Sequence, residues 1–332
     1  MPHSWTGRAL LVAVALTLAG VVWFALQVDP IFSSPGRQVI VTVNPGDSLA
    51  TIAGELHAAG VIASPLAFRV EDVVLGPRLV RSGSYGLRQR SSFAAVRSIL
   101  SHPPNVVVVS PGLTLHEVAL DVEGIRGARF ADAFAAAASD VVTRSPFAAG
   151  TSLEGLIGTG QYVIGPTTTA RGLVRVMIRR FNALAASVSL TPSTTVNGLN
   201  AYQLIVAASI VEKEGYYVRN MPKVARVIFN RLARGGPLQM DATVLYSFGR
   251  DGGTVTHAME NTPTPYNTYL NTGLTPTPIC TVSKSALESV LHAPTGPWLY
   301  FTVINRRGDE AFATTFAQQL ANEAAATASG AP

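Results

Sequence analysis

The chain has 332 residues, 48% hydrophobic and 14% charged, and 25 Lys and Arg against 20 Asp and Glu give a net charge of +5. That is enough apolar material for one large core or two to three smaller ones, and too much for a disordered tail. One cysteine excludes an internal disulfide framework and any multi-cysteine metal site; the six histidines show no metal-ligand spacing, and scattered arginines with only three lysines form no nucleic-acid patch.

Residues 9–27, ALLVAVALTLAGVVWFALQ, carry no charge. A helix over that run spans roughly 28 Å, close to the hydrocarbon thickness of a bilayer. Arg8 precedes it and Asp29 follows it, which predicts an N-terminus inside and the remaining chain outside. The expected plan is a cytoplasmic tail over 1–8, a single-pass anchor in the cytoplasmic membrane over 9–27, and a Pro- and Ser-rich linker over 28–37.

An internal repeat follows. VTVNPGDSLATIA (41–53) aligns without gaps on VVVSPGLTLHEVA (107–119). Each copy predicts a short β-branched strand, a Pro-Gly turn, and a helix capped by Ser48 or Thr114. The unit is either a module that grips an extended polymer or a packing unit that spaces a catalytic domain from a membrane. Between the copies, SGSYGLRQ (82–89) reads as a strand and SSFAAVRSIL (91–100) as a Ser-capped helix. Helices are also expected over 128–138 and 170–186, with a Gly- and Ser-rich loop over 144–165 between them.

Asn200 is a plausible N-cap for AYQLIVAASIVEKE (201–214), in which Leu204, Ala207, Ala208 and Val211 form an apolar stripe. Glu212 falls at the edge of that stripe, where desolvation raises a carboxyl toward general-acid range. Glu214 falls on the other side, beside Gly215 as C-cap. Both are equally readable as ordinary last-turn surface residues. A second helix begins near Asn220, and GPLQMDATVLYSFG (236–249) places Gln239 and Asp241 in a turn before an apolar run. Residues 261–279 hold Pro, Asn, Thr and Tyr and no acid or base; such a loop is too long for a mere connector, and its residue types hydrogen-bond hydroxyls and acetamides. A capped helix over 283–294 and a hairpin over 298–315, with Arg-Gly-Asp at its tip, complete the pattern. The Ala-rich end from 323 reads as frayed, and Cys280 as a small apolar filler.

ASIVEKEG (208–215), VARVIFNRL (224–232), PLQMDATVLY (237–246), TPYNTYLNTGLTPTPI (264–279) and LYF (299–301) together resemble the YceG-like family, the MltG family of membrane-anchored endolytic murein transglycosylases. The resemblance covers about 37–322. It implies an α+β fold: an N-terminal transmembrane helix, a LysM-like strand–helix module over 38–105, a mixed α+β catalytic domain over 106–322 and a flexible tail over 323–332. It implies cleavage of the β-1,4 bond between N-acetylmuramic acid and N-acetylglucosamine, leaving 1,6-anhydro ends and limiting nascent strand length. Glu212 is then the single acid/base, because the sugar's own C6 hydroxyl attacks and no second carboxylate has to activate water. Asn230, Gln239, Asp241, Asn267, Tyr269 and Glu154 are the expected glycan-binding residues. No cofactor and no metal are implied. The implied partners are peptidoglycan strands, with penicillin-binding proteins and other wall-synthesis enzymes beside them, and no nucleic acid. One departure stands out: LEGLIGTGQY (153–162) has Gly-Thr-Gly where the family carries Phe-Pro-acid. It is the one feature that favours the alternative, a catalytically silent glycan-binding scaffold.

Overall fold

The computed structural model describes residues 3–28, 36–76, 80–140, 145–150, 152–165, 167–215 and 217–331. The expected linker falls mostly outside them. The chain divides into two compact units, one of Met1–Val107 with Val163–Thr167 and one of Val108–Tyr162 with Thr168–Pro332.

The first unit contains α1 (His3–Val28), β1 (Gln38–Val43), α2 (Leu49–Ala58), α3 (Pro65–Leu75), β2 (Gly83–Arg88) and α4 (Phe93–Leu100). β1 and β2 pair antiparallel with Val41 opposite Tyr85. Val41 and Val43 point inward, Thr42 outward, as the alternation of a half-buried strand requires. The inner residues join Ile52, Leu56, Phe68, Tyr85, Leu87 and Phe93 in one core, and Phe68 meets Phe93 edge to face at 5.2 Å between centroids. The Pro-Gly turn is made by Gly46 at φ +87, a left-handed conformation that favours glycine. The Ser48 hydroxyl then accepts the Thr51 N–H at 3.1 Å and starts α2. Phe24 and Val28 of α1 pack on the same core. Among the described residues, whose side chains in α1 begin at Val12, no helix is long and apolar enough to cross a membrane. The span expected over 9–27 is therefore not established by the fold.

The chain crosses between the units within β3 (Val106–Val109) and at β4 (Gly160–Val163). The second unit is mainly helical, and its helices include α5 (Leu115–Arg126), α6 (Ala128–Ser139), α7 (Ala170–Ser187), α8 (Ala201–Glu214), α9 (Met221–Ala233), α10 (Asp241–Ser247), α11 (His257–Glu260), α12 (Lys284–Leu291) and α13 (Phe316–Ser329). Its sheets are small: β5 (Thr195–Val196) pairs with β6 (Leu199–Asn200), and β7 (Tyr300–Val303) with β8 (Glu310–Ala313). The repeat's second copy folds as the first does. Gly112 has φ +89, and Thr114 and Glu117 form a reciprocal capping box at the start of α5.

α8 is buried on more than one stripe. Every residue from Leu204 to Val211 is buried, and α8 packs against both α9 and α12. A helix apolar all round belongs in the middle of a domain, so its acidic last turn ends inside the unit. The C-terminal region expected to fray is helical instead. α13 carries a Thr315–Gln318 capping box and closes on Gly330 in the left-handed conformation. Gln319 Nε2 donates to the β7 carbonyl of Phe301 at 3.2 Å, which ties the helix to the hairpin.

Candidate active site

The C-terminus of α8 delivers two carboxylates in different directions. Glu212 Oε2 accepts the backbone N–H of Ser283 at 2.8 Å, the residue that caps α12. Its carboxylate thus serves a neighbouring helix end, where an anion is favoured. Glu214 turns instead into a pocket of about 170 Å³ lined also by Thr114, Lys213, Asp241, Ala242, Tyr246 and Asp251. Glu214 Oε1 accepts the Ala242 N–H at 3.0 Å, in the first turn of α10. Burial pushes the Glu214 carboxyl up to about 7. The Ala242 N–H and the Arg231 guanidinium pull against that shift, and the Asp241 and Glu310 carboxylates add to it. Among the described residues the acid expected to do chemistry is therefore outside the pocket, and its neighbour two positions on is inside it.

Asp241 opens α10 and accepts the Tyr269 hydroxyl at 2.5 Å. This pair brings together two of the expected glycan-binding residues at the pocket. Gln239 is exposed with φ +51, and its N–H donates to Thr268 O at 2.9 Å. A non-glycine residue held there marks a constrained turn beside the site. Met240 N–H donates to Thr268 Oγ1 at 3.0 Å, so both halves of the turn hang on one threonine. Asn267 is fully buried and its amide nitrogen donates to the carbonyls of Met259, Glu260 and Thr262 at 3.3, 2.8 and 2.8 Å. Asn230 donates to the carbonyls of Gly296 and Trp298 at 2.9 and 2.7 Å. Both asparagines, expected to meet glycan, fasten loops in the structure.

Glu154 sits next door, 5% exposed. Its two oxygens accept the Leu115 N–H at 3.0 and 3.1 Å, and Tyr246 Oη donates to it at 3.3 Å. Burial raises its carboxyl to about 7, against the pull of the Leu115 N–H and the Tyr246 hydroxyl. Glu154 lines a second cavity, of about 420 Å³, that shares Thr114, Tyr246, Arg250 and Asp251 with the Glu214 pocket. The two cavities are thus adjacent stretches of one groove.

Several site residues escaped the sequence reading. Thr114 lines both cavities, because the turn before it is clipped to the 279–281 segment: Gly112 N–H donates to Thr281 O at 2.9 Å and Thr281 N–H to Leu113 O at 2.8 Å. Ile279 N–H in turn donates to Ser209 Oγ of α8 at 3.0 Å. Arg231 stands behind Glu214, donating to Leu299 O at 2.7 Å and to Leu238 O. Lys213 is ion-paired with Asp251 at the pocket wall. The repeat itself was the available signal for Thr114; nothing local in the sequence marks Arg231 or Asp251.

The altered loop has a physical account. A Cβ on Gly158 would lie 2.6 Å from the Phe181 nitrogen and 2.7 Å from the Arg180 carbonyl carbon. Gly158 N–H donates to Met177 O at 2.9 Å, so this loop lies directly on the α7 backbone, which only glycine permits. Residues 158–160 line neither cavity.

The model of the YceG-like family matches residues 41–325. The chain belongs to the YceG-like family. It is 26% identical over 306 residues to an endolytic murein transglycosylase of Bacillus subtilis, covering 86% of this chain and 84% of that protein. It is 28% identical over 307 residues to an endolytic murein transglycosylase of Streptococcus pneumoniae strain R6, with 82% of this chain covered but only 55% of the relative. A crystal structure of a YceG-like protein from Listeria monocytogenes superposes with a TM-score of 0.59 at 22% identity, covering 86% of this chain and 99% of that one. That likeness establishes the YceG-like fold.

Proposed function

We propose that the protein is an endolytic murein transglycosylase with Glu214, not Glu212, as its acid/base. The observation that carries the assignment is the Glu214 carboxyl lining the pocket with the Ala242 N–H on its Oε1, where burial pushes it up to about 7. The protonated carboxyl gives its proton to the glycosidic oxygen as the bond to the muramic acid anomeric carbon breaks. The resulting carboxylate then takes the proton of the C6 hydroxyl as that oxygen bonds to the same carbon. The anhydro ring closes, Glu214 is protonated again, and no water enters. A pKa near ambient pH suits a group that acts in both directions. Asp241, fixed by Tyr269, is placed to balance the positive charge that develops on the sugar. The adjoining Glu154 cavity extends the groove along the strand, as an enzyme cutting within a chain requires.

The names of the Bacillus and pneumococcal relatives support the substrate, peptidoglycan. The bond cut, MurNAc-β-1,4-GlcNAc, the limit set on nascent strand length, and penicillin-binding proteins as neighbours come from the family resemblance. We also propose that α1 anchors the protein in the cytoplasmic membrane with its N-terminus inside. The support is a 26-residue helix whose central run carries no charge and whose length, roughly 39 Å, exceeds the hydrocarbon core.

The test is incubation of wild type, Glu214→Gln and Glu212→Gln with uncrosslinked glycan strands, read by mass spectrometry. Anhydro-ended fragments from wild type and Glu212→Gln, and none from Glu214→Gln, are expected. Loss in Glu212→Gln with activity kept in Glu214→Gln would reverse the assignment. Reducing ends from wild type would make the protein a hydrolase. Binding without cleavage by wild type would make it a scaffold.

A further inference from the structure

Helix α3 turns Phe68 and Ala67 into the core and carries a second aliphatic face outward. Its carboxylate residues Glu71 and Asp72 are 8% and 5% exposed, while Leu66, Val70, Val73 and Val74 are 62%, 44%, 80% and 74% exposed. Those four aliphatics recur at helical spacing and so share one face. With Ser48, Leu49 and Ala50 at the start of α2, and with Arg69, they line a shallow groove of about 520 Å³. A contiguous aliphatic face open to water is costly and marks a contact surface.

What covers it is indicated by α1. Phe24 and Val28 of α1 pack on this unit's own core, and α1 contacts α3 directly. Leu16, Leu18, Val21, Val22 and Trp23 of α1 are themselves 48–68% exposed. The apolar face of α3 therefore continues from the apolar surface of the helix that ends beside it. We propose that the outer face of α3 and the start of α2 lie in the headgroup–acyl boundary of the bilayer that holds α1. Arg69, the one charged side chain of the groove, then reaches the lipid phosphates while its stem stays among the aliphatics. The inference rests on the reading of α1 as an anchor. A glycan strand fits this groove poorly. It needs hydrogen-bonding groups and aromatic platforms, whereas the groove has no aromatic residue and its one hydroxyl, on Ser48, already accepts the Thr51 N–H.

The test uses the full chain in nanodiscs of phosphatidylethanolamine and phosphatidylglycerol. Single nitroxides are placed by Leu16→Cys, Glu55→Cys, Leu66→Cys and Val73→Cys; native Cys280 is buried and stays unlabelled. Collisions with oxygen report the bilayer, and collisions with a water-soluble nickel chelate report solvent. Oxygen is expected to dominate at 16, 66 and 73, and nickel at the exposed position 55. Nickel dominating at 66 and 73 with oxygen dominating at 16 would overturn the proposal and leave the anchor standing; nickel dominating at 16 would overturn the anchor. Spin–spin broadening at 73 would assign the face to a second copy, and loss of the oxygen signal on adding glycan strands would assign it to glycan; either overturns the proposal. Val73→Asp in the Leu66→Cys background is expected to abolish the oxygen preference at 66 with an unchanged melting curve, since Val73 makes little internal contact. A preference that survives the substitution would count against a bilayer-seated face.

Discussion

A single carboxyl that first gives a proton and then takes one must be protonated when substrate binds. Glu214, raised to about 7 by burial, meets that condition at neutral pH and fails it in alkali. kcat/KM for strand cleavage is expected to fall about tenfold per pH unit above about 7, as for any required acid; an alkaline limb starting three units higher would point to another group. Glu154 provides a separate test, on stability. Its usual value of 4.5 is raised to about 7 in the folded protein, so between those limits the native state keeps a proton that the unfolded chain has released. Stability must therefore fall as pH rises across that window, by on the order of 3 kcal/mol for this one group. Glu154→Gln has no proton to lose. In urea unfolding its stability should gain on wild type from pH 4.5 to 7 and level off above; parallel pH curves would show that Glu154 is not held protonated. The different surroundings of Glu212 and Glu214 are the least legible point in the sequence. Two residues apart on a helix, they point about 200° away from each other, and hydrophobic periodicity placed one at a stripe's edge. Their placement depends on contacts far along the chain: the Ser283 N–H meets Glu212 and the Ala242 N–H meets Glu214.

Elements were legible where their determinants are local. Ser48, Thr114 and Asn200 cap the helices expected of them, and Ser92 and Ser283 cap the helices expected over 91–100 and 283–294, each through its own side chain, because a cap needs only the next three residues. α3 and the end of α13 were not read, and both fail for a physical reason. α3 carries aliphatic residues on its outer as well as its inner face, which blurs the helical period, and α13 owes its persistence to the hairpin, through Gln319 on Phe301 and Ser329 on Ile304. The loop over 158–160 shows the same limit. Gly-Thr-Gly looks like lost function until α7 is seen lying against it. Gly158→Ala forces a methyl to within 2.6 Å of backbone, and overpacking of this kind costs roughly 1–3 kcal/mol. The variant should melt lower while its KM for glycan stays unchanged, since this loop lines neither cavity. A raised KM at unchanged stability would instead give the loop a role in substrate contact.

At the scale of the whole molecule, the two units carry separate cores. Phe93 is fully buried in the first, against Phe68, and Phe181 is fully buried in the second, edge to face with Phe147 at 5.8 Å. Neither core is continuous in sequence, because residues 163–167 return to the first unit after a long excursion through the second. Val163 packs so closely on Gly86 that a Cβ there would meet its methyl groups at 2.3 and 2.4 Å. The first unit is therefore complete only when the chain has passed through the second and come back, and a chain stopped at 107 lacks that contact. Cooperativity should nonetheless follow the cores. Phe93→Ala and Phe181→Ala each remove a fully buried ring, at about 3–5 kcal/mol. Calorimetry of the intact chain should show two transitions, with Phe93→Ala lowering one and Phe181→Ala the other. Only Phe181→Ala should lower the temperature at which strand cleavage is lost, since the Glu214 pocket lies wholly in the second unit. A single transition lowered by both variants would mean that the returning segment couples the two cores into one cooperative unit.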